Sequence, residues 1–500
     1  MLNTIRSVYV TSILTFILVF FSSIIDAKSL DENEVQRGID LWKVPALAVS
    51  VVTDKNIEFK KGFGKTAYGQ GSPVDQHTLF GIMSTTKAMV AAGILILADQ
   101  DKLKLDDLVI KYIPELHFKD SSLTQQITIR DLLAHRTGMP STDFLPFVQK
   151  APLALQIQKL STVDPSAPVR SRFIYQNTMY ELVGEIIKRV SGKRWDRFLK
   201  QVLWQPIGMN ETYGTRGQIS PNQQYVLPYI LVDKKVHKTG WDFDDDEANA
   251  AGSVWSSIHD MSLWAQFLLN EGRNASGEQV ISSASLSEMF KPQMMVAHKD
   301  FYPTTELTHP NWTTYGLGWF QQDFQGRKID FHTGSLSGLI AIIGLDIANK
   351  KAMVVLGNQD HAELRHALLW HVMDEQTGDF PTDWNQSMFD LYQKQIIDSE
   401  NQQLKQMKSR VSEKKHSLPL EQYVGTYVHK SFGELEVSFE NKQLKLKSKR
   451  LTLNLSHWHF DTFEMTSDIF NTRNLMNFNL SQSAQVQSLH FYGLDFIKKE

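Results

Sequence analysis

A serine and a lysine three positions apart form the most reactive pairing that this sequence offers. Ser84 and Lys87 begin an apolar run, residues 88–98, whose composition predicts a buried helix. Side chains three positions apart share one face of a helix, so the lysine ammonium can reach the serine oxygen. A serine hydroxyl is a weak nucleophile and needs a base or cation beside it, and a helix N-terminus favours developing negative charge. The pair therefore predicts a nucleophilic serine activated by a lysine.

The same Ser-x-x-Lys spacing occurs a second time in the chain. At Ser84 the spacing also has a purely structural explanation. Ser412 and Lys415 repeat the spacing in a polar, charge-rich segment that has no apolar helix behind it. The alternative for Ser84 is an ordinary helix N-cap, with Lys87 pointing to solvent. The rest of the chain has to decide between these interpretations.

Two further polar groups follow along the chain. Tyr175 and Asn177 stand just before an amphipathic helical pattern, and residues 332–335 stand at the end of an apolar strand pattern. A tyrosine beside an ammonium loses its proton more easily, so Tyr175 could act as a base on Ser84. The Asn177 amide offers a donor and an acceptor. The strand edge at residues 332–335 offers backbone N–H groups for an oxyanion and a track for an extended substrate.

In this order, Ser-x-x-Lys, Tyr-x-Asn and His-Thr-Gly resemble the motifs of the penicillin-recognising serine hydrolases. This superfamily includes class C β-lactamases, D-alanyl-D-alanine carboxypeptidases, D-aminopeptidases and related esterases. The resemblance covers roughly residues 35–375. Secondary landmarks of the superfamily agree with it, at residues 132–138, 251–257, 316–319 and 357–358.

The resemblance implies catalytic roles for four residues. Ser84 is the nucleophile that becomes acylated, and Lys87 is its activating cation. Tyr175 is the general base and then the acid that protonates the leaving group. The backbone N–H groups of Ser84 and Ser335 form the oxyanion hole.

It also implies substrate contacts at the second and third motifs. Asn177 contacts the amide on the acyl side of the substrate. His332 and Thr333 flank the substrate carboxylate or leaving group, and Gly334 completes the motif. Cofactors and metal ions are not expected, because no phosphate-binding glycine loop and no cluster of metal ligands is apparent in the sequence.

The histidine of the third motif departs from one branch of the superfamily. Class C β-lactamases usually carry a lysine where this chain has His332, whereas some DD-peptidases and D-aminopeptidases carry histidine. A histidine titrates near neutrality, so a protonated His332 that holds a carboxylate would make activity fall as pH rises through about 6 to 7. A literal Lys-Thr-Gly sequence begins at Lys238, but it lies in a polar stretch, whereas His332 precedes the apolar residues 339–343. We therefore favour His332 as the third motif.

Length and composition place limits on the fold and function classes. A chain of 500 residues predicts two or more domains. The net charge of −3 gives no reason to expect nucleic acid as a partner. The absence of cysteine excludes disulfides, thiolate catalysis and a lipoprotein anchor.

The pattern of elements predicts an α+β fold followed by a small all-β domain. Strand patterns at both ends of residues 28–380, with helices between them, predict an antiparallel sheet with a mostly helical subdomain. Residues 381–415 predict a solvated linker helix. Residues 416–500 alternate as short strands, which predicts a β-barrel. They resemble the lipocalin-like barrel that is fused to one branch of these hydrolases.

The first 27 residues have the pattern of a signal peptide. Arg6 precedes a mostly apolar run, residues 8–25, and Ala27 offers a small residue before a cleavage point. This favours a periplasmic or secreted protein whose only membrane contact is transient. The alternative is an uncleaved membrane anchor, because the run approaches transmembrane length.

Together these features predict a secreted serine hydrolase that cleaves amide or peptide bonds through a Ser84 acyl-enzyme. The expected substrates include those that contain D-amino acids. The expected partner is a small peptide, ester or β-lactam. An esterase or β-lactamase would use the same groups, and a penicillin-binding receptor without turnover is the alternative from another class. The sequence leaves open the oligomeric state and whether the barrel covers the site or mediates assembly.

Overall fold

A computed structural model describes residues 30–232, 234–239, 248–375, 382–466 and 474–500. The predicted signal peptide lies outside the described residues, as does Gly240 of the second Lys-Thr-Gly sequence. Within the described ranges, no helix is long and apolar enough to cross a membrane.

The first domain combines strands and helices in the mixed order that the sequence predicts. Its strands are β1 (Ala46–Thr53), β2 (Ile57–Ala67), β3 (Gln70–Pro73), β4 (Leu79–Gly81), β5 (Tyr229–Val232), β6 (Lys235–Lys238), β7 (Trp255–Ser257), β8 (Met294–Met295), β9 (Thr313–Tyr315), β10 (Phe320–Phe324), β11 (Arg327–Leu336), β12 (Leu339–Asp346) and β13 (Lys351–Gly357). Its helices are α1 (Glu32–Trp42), α2 (Thr86–Asp99), α3 (Ser121–Thr124), α4 (Ile129–Leu133), α5 (Phe144–Phe147), α6 (Leu153–Leu160), α7 (Asn177–Ser191), α8 (Trp195–Leu199), α9 (Ile258–Leu269), α10 (Ser283–Met289), α11 (Thr305–Thr308) and α12 (Leu364–Met373).

A nine-stranded antiparallel sheet organises this domain, in the order β3-β2-β1-β13-β12-β11-β10-β9-β8. Its central strand β12 is buried along its whole length, because helices cover both faces of the sheet. In β12, Ala341 and Ile343 belong to one buried cluster with α2 and α9, while Ile340 and Ile342 belong to a second cluster with α1 and α12. Alternate residues of a strand point to opposite faces, so one strand supplies two cores. The predicted α+β fold with an antiparallel sheet and a helical subdomain is confirmed.

The segment between the domains is more closely packed than its composition predicts. Helix α13 (Trp384–Lys408) lies within it, and its first turns bury Trp384, Met388 and Leu391. Asn385 Nδ2 donates to the backbone oxygen of Glu34 on α1, 3.1 Å away. Only the later part of the helix is solvated, because the apolar residues of the first turns face the hydrolase-like domain.

The C-terminal domain is a closed barrel of eight antiparallel strands. These are β14 (Gly425–His429), β15 (Gly433–Glu440), β16 (Gln443–Lys447), β17 (Thr452–His459), β18 (Thr462–Thr466), β19 (Asn474–Leu480), β20 (Val486–Phe491) and β21 (Leu494–Lys498). Apolar residues alternate with polar ones, and the apolar side chains point inward and fill the interior. Leu145 and Ala151 of the first domain join this barrel cluster.

Candidate active site

Ser84 lies at the start of α2, as the sequence predicts. It belongs to a short 3₁₀ turn, Met83–Thr85, that leads directly into the helix. The Thr85 hydroxyl donates to the Ile82 carbonyl oxygen at 2.8 Å and ties this turn together. Met83 has a φ of 47°, in the left-handed region that costs a non-glycine residue free energy. The turn leaves Ser84 partly exposed at the wall of a cavity.

Lys87 is fully buried, and each of its contacts is with an acceptor. Its Nζ donates to Ser84 Oγ at 3.1 Å, to Asn177 Oδ1 at 2.8 Å and to the Ala251 carbonyl oxygen at 2.7 Å. An ammonium group has three N–H donors and no acceptor, so these contacts match it completely. The alternative of a solvent-pointing lysine is excluded.

Burial changes the acid–base properties of this lysine. Desolvation lowers the pKa of Lys87 to about 7, while the negative charges of Asp143 and then Glu181 act in the opposite direction. Near neutral pH the group therefore exists in both protonation states. Its neutral form can accept a proton from Ser84.

Tyr175 is adjacent to Ser84 and Lys87, but its ionisation differs from the sequence-based expectation. The Lys87 Nζ lies 4.9 Å from the centroid of its ring. Burial raises the pKa of Tyr175 well above its usual value, although a hydrogen bond with Ser84 lowers it. The phenol is therefore protonated in the free protein and can donate a proton. Burial thus opposes the easier loss of the phenolic proton that the sequence leads us to expect, while the role of Tyr175 as general base stays a prediction.

The ring of His135 packs against the ring of Tyr175. The two ring centroids are 4.4 Å apart, and His135 Nδ1 accepts from the Gln176 backbone N–H at 3.1 Å. Burial lowers the pKa of His135 well below its usual value, so the ring is neutral. Its role is structural, and the hydrogen bond fixes the backbone between Tyr175 and Asn177.

The Asn177 amide connects Lys87 to a carboxylate. Its Oδ1 accepts from Lys87, and its Nδ2 donates to Asp143 Oδ2 at 2.9 Å. The predicted substrate-binding residue thus also contacts the lysine directly. Asp143 belongs to none of the sequence motifs and was not identified from the sequence.

His332 lies on β11 beside these residues, but it is neutral. Its Nδ1 lies 2.7 Å from the Thr333 carbonyl oxygen, which can only accept, so Nδ1 donates. Its Nε2 then accepts from the Tyr315 hydroxyl at 3.0 Å. Burial, followed by the charge of Lys87, lowers the pKa of His332 to about 3. The expectation that a protonated His332 holds a carboxylate is therefore corrected, because the ring is desolvated next to another cation.

Gly334 and Ser335 form the part of β11 nearest to the nucleophile. A Cβ on Gly334 would lie 2.3 Å from the Ile82 carbonyl oxygen and 2.9 Å from the Ser84 nitrogen. Only glycine lets the strand approach the turn so closely. Arg365 fixes this end of the strand, since its Nη1 donates to the Gly334 carbonyl oxygen at 2.5 Å and to Ser335 Oγ at 2.7 Å.

Thr333 points away from this contact and is held by a tyrosine. Its Oγ1 lies 2.6 Å from the hydroxyl of Tyr302. Its side chain is buried, so it stabilises the strand and does not line the cavity.

One cavity is lined by three of the eight site residues that the sequence predicts. Ser84, Asn177 and Ser335 line it together. Two arginines also line it, Arg216 of the first domain and Arg450 of the barrel. Neither arginine was identified from the sequence, because Arg216 begins a short 3₁₀ helix and Arg450 lies in the loop between β16 and β17, both outside the motifs. The cavity is therefore built by both domains.

The two competing sequence matches lie elsewhere. Lys238 is exposed at the end of β6, in a two-stranded sheet that is separate from the main sheet. Ser412 is exposed after α13. Among the described residues, no group of histidine, aspartate and glutamate side chains is arranged to hold a metal ion.

Lys87 is buried and donates a hydrogen bond to Ser84 at the start of a helix, beside an antiparallel sheet. This arrangement is the one expected of the penicillin-recognising serine hydrolase superfamily. Residues 36–377 match the Beta-lactamase family, and the chain belongs to that family. Residues 409–500 match a domain of unknown function, DUF3471.

Similar proteins include enzymes and solved structures. Unguisins hydrolase ungD of Aspergillus violaceofuscus is 27% identical over 89% of this chain and 83% of its own length. The octameric penicillin-binding protein homologue from Pyrococcus abyssi is 21% identical, with a TM-score of 0.60 over 94% of this chain and all of its own. SurE is 18% identical, with a TM-score of 0.55 over 93% of this chain and 98% of its own. The two structures share the fold across both domains.

Proposed function

We propose that this protein is a serine hydrolase that cleaves amide or peptide bonds through an acyl-enzyme on Ser84. The contact of 3.1 Å between Lys87 Nζ and Ser84 Oγ supports this proposal most directly. The lysine is buried and its pKa is about 7, so it can accept the serine proton at neutral pH.

Acylation proceeds through three proton transfers. Ser84 Oγ attacks the carbonyl carbon while its proton passes to neutral Lys87, and the backbone N–H groups of Ser84 and Ser335 stabilise the oxyanion. The carbon–nitrogen bond then breaks. The leaving nitrogen takes the phenolic proton of Tyr175, which regains a proton from the Lys87 ammonium. This assigns the acid role to Tyr175, in keeping with its raised pKa.

Deacylation reverses this sequence with water as the nucleophile. Water loses a proton to neutral Lys87 and attacks the acyl carbon. The bond to Ser84 Oγ breaks, and the oxygen regains a proton from the lysine. The carboxylic acid leaves, and the protein returns to its starting state.

The substrate class is a short peptide or amide, including peptides with D-residues. The His-Thr-Gly motif, shared with some D-aminopeptidases, supports this choice. The name of the Aspergillus relative, an unguisins hydrolase, supports hydrolysis in general.

A carboxylate on the substrate would pair with the two arginines that line the cavity. His332 is neutral, so residue 332 supplies no positive charge. Arg216 and Arg450 line the cavity that also contains Ser84. We assign the recognition of an anionic substrate group to this pair, with the barrel supplying half of it.

The cellular location is part of the proposal. Cleavage after Ala27 would deliver the protein to the periplasm or outside the cell. Fractionation of cells that express the full chain, with N-terminal sequencing of the product, tests this location.

A panel of substrates tests the function. It contains D-amino-acid anilides, D-alanyl-D-alanine peptides, short acyl esters and a chromogenic cephalosporin, each with the wild-type protein and Ser84→Ala. We expect turnover of at least one amide and none with the variant. Slow labelling without turnover on every member would instead establish a receptor. Equal turnover by both proteins would remove Ser84 from the chemistry.

A further inference from the structure

Asp143 stands at the far end of a chain of contacts that begins at the nucleophile. Its Oδ2 accepts from Asn177 Nδ2 at 2.9 Å, and Asn177 Oδ1 accepts from Lys87 at 2.8 Å. An amide has its acceptor on one side and its donors on the other. A carboxylate that holds the NH₂ side therefore keeps the oxygen turned toward the lysine.

Asp143 also contributes negative charge, although burial raises its own pKa above the ordinary value while the hydrogen bond from Asn177 and the charge of Lys87 lower it. It is the acidic group that does most to offset the burial of Lys87, followed by Glu181. Two histidines also face the lysine, His135 and His332, and burial keeps both neutral. The rings of Tyr175 and Tyr180 also lie beside the ammonium.

The residue after Asp143 packs against the aromatic residues of the barrel. The ring centroid of Phe144 lies 5.8 Å from that of Phe432, 5.9 Å from that of Phe491 and 5.7 Å from that of Phe496. Leu145 is buried in the same cluster. Side chains of α5 thus pack on the barrel core, although the helix belongs to the first domain.

Hydrogen bonds fix the backbone that follows α5. The Val148 carbonyl oxygen accepts from Ser448 Oγ at 3.0 Å. Gln149 Nε2 donates to the Glu434 carbonyl oxygen at 2.7 Å. A helix of one turn has little stability alone, so these contacts determine where it lies.

We propose that Asp143 is a positioning residue for Lys87, and that the barrel holds Asp143 in place through α5. This inference rests on the proposed function, because it takes Lys87 as the base of the reaction. It gives the barrel a part in catalysis that acts through α5 and Asp143. The contacts run from the aromatic cluster to Phe144, Asp143, Asn177 and Lys87.

The test measures the second-order rate of Ser84 labelling by an alkyl fluorophosphonate between pH 5.5 and 9. Asp143→Asn removes the charge but keeps an oxygen for Asn177. We expect its rate profile to move to lower pH by about 0.5 unit or more, with the plateau at high pH retained. Asp143→Ala removes both contributions, and we expect its plateau to fall about 10-fold. Asp164→Asn, at an exposed aspartate paired with Lys119, is the control and should match the wild type.

A second pair of variants tests the barrel. Phe144→Leu thins the contact with the barrel aromatics, and we expect the plateau to fall about 3-fold, since loosened positioning costs rate. Phe439→Leu, a partly buried barrel residue on β15, is the matched control and should leave the plateau unchanged. Circular dichroism on every variant checks that the fold is intact.

The outcomes separate the inference from the function on which it rests. Labelling of wild-type Ser84 with identical profiles in all Asp143 variants would overturn the positioning role. A drop in Asp143→Ala without any change in Phe144→Leu would overturn the role of the barrel. A wild-type protein that the probe does not label at Ser84 would overturn the proposed function, and this inference with it.

Discussion

The two domains of this chain differ in what they bury. The first domain encloses charged and polar groups, including Lys87, Asp330 and Glu363. In the described part of the barrel, the buried polar residues are Ser431 and Ser488, and the interior is otherwise apolar. Burying a charge costs free energy unless it is paired and hydrogen-bonded. Groups with perturbed ionisation concentrate at functional sites, which supports placing the proposed chemistry in the first domain.

The comparison also explains how the barrel could contribute without reactive groups of its own. Its interior is filled by apolar side chains, and side chains of α5 from the first domain pack against them. Its loop brings Arg450 to the cavity. The following experiments test whether the first domain supplies the reactive groups while the barrel supports them.

The largest effect is expected for Lys87→Ala. Turnover of the best amide should fall by roughly 10²- to 10⁴-fold, because proton transfer contributes about that much. Steady-state kinetics measure it, with Lys102→Ala at an exposed position after α2 as the control. Near wild-type rates in Lys87→Ala would place the base elsewhere.

The next effect is expected for Tyr175→Phe. Turnover of amides should fall by about 10²-fold, because the leaving nitrogen needs a proton. Esters with a good leaving group should lose much less, since such a group departs without protonation. A comparison of an anilide with an activated ester measures the difference. Equal losses for both substrates would contradict the acid role.

The pH dependence should follow Lys87 and not His332. The neutral form of Lys87 is the base, so kcat/KM should rise as pH rises through about 7 and then level off. The pKa of His332 is about 3, so this group adds no fall between pH 6 and 7. Charged and neutral substrates should therefore share one rising limb. A fall in that range for carboxylate substrates alone would restore the protonated histidine.

A smaller effect is expected for Arg450→Gln. The KM of peptides with a free carboxylate should rise about 10-fold, because a hydrogen bond to a charged group is lost. The KM of neutral esters should change little. Titrations with a peptide and its amide make the comparison. An equal change in KM for the peptide and its amide would mean that Arg450 shapes the cavity but does not recognise the carboxylate.

The smallest effect on activity is expected inside the barrel. Phe463→Leu trims a buried side chain and should lower the free energy of unfolding of the barrel by about 1 kcal/mol. The kinetics of the folded protein should stay the same, because Phe463 packs on Tyr423 and Phe478 rather than on α5. Chemical denaturation and steady-state kinetics on one sample test both halves. A loss of turnover at full folding would mean that the barrel interior matters for chemistry.

Much of the fold could be predicted from local patterns. The barrel strands alternate apolar and polar residues, and that period indicates a surface with one buried face. The helix behind Ser84 is apolar all round because it is buried all round. The first turns of α13 could not be assigned in this way, since their few apolar residues become informative only once the partner surface is known.

Some residues of the candidate site could likewise be predicted from the sequence, and others could not. Ser84, Lys87, Tyr175 and Asn177 could be named because their spacing is short and their order is specific to the superfamily. Asp143 and Arg450 could not, because each acts across a fold contact that leaves no local pattern. The ionisation of Tyr175 and His332 was also beyond the sequence, since it depends on burial.

The central claim is that Ser84 forms the covalent intermediate. The protein is treated with a fluorescent penicillin or a phosphonate, digested, and the modified peptide is identified by mass spectrometry. The claim predicts an adduct on Ser84 that is absent from Ser84→Ala. An adduct on Ser412 or another residue, with Ser84 unmodified, would contradict it.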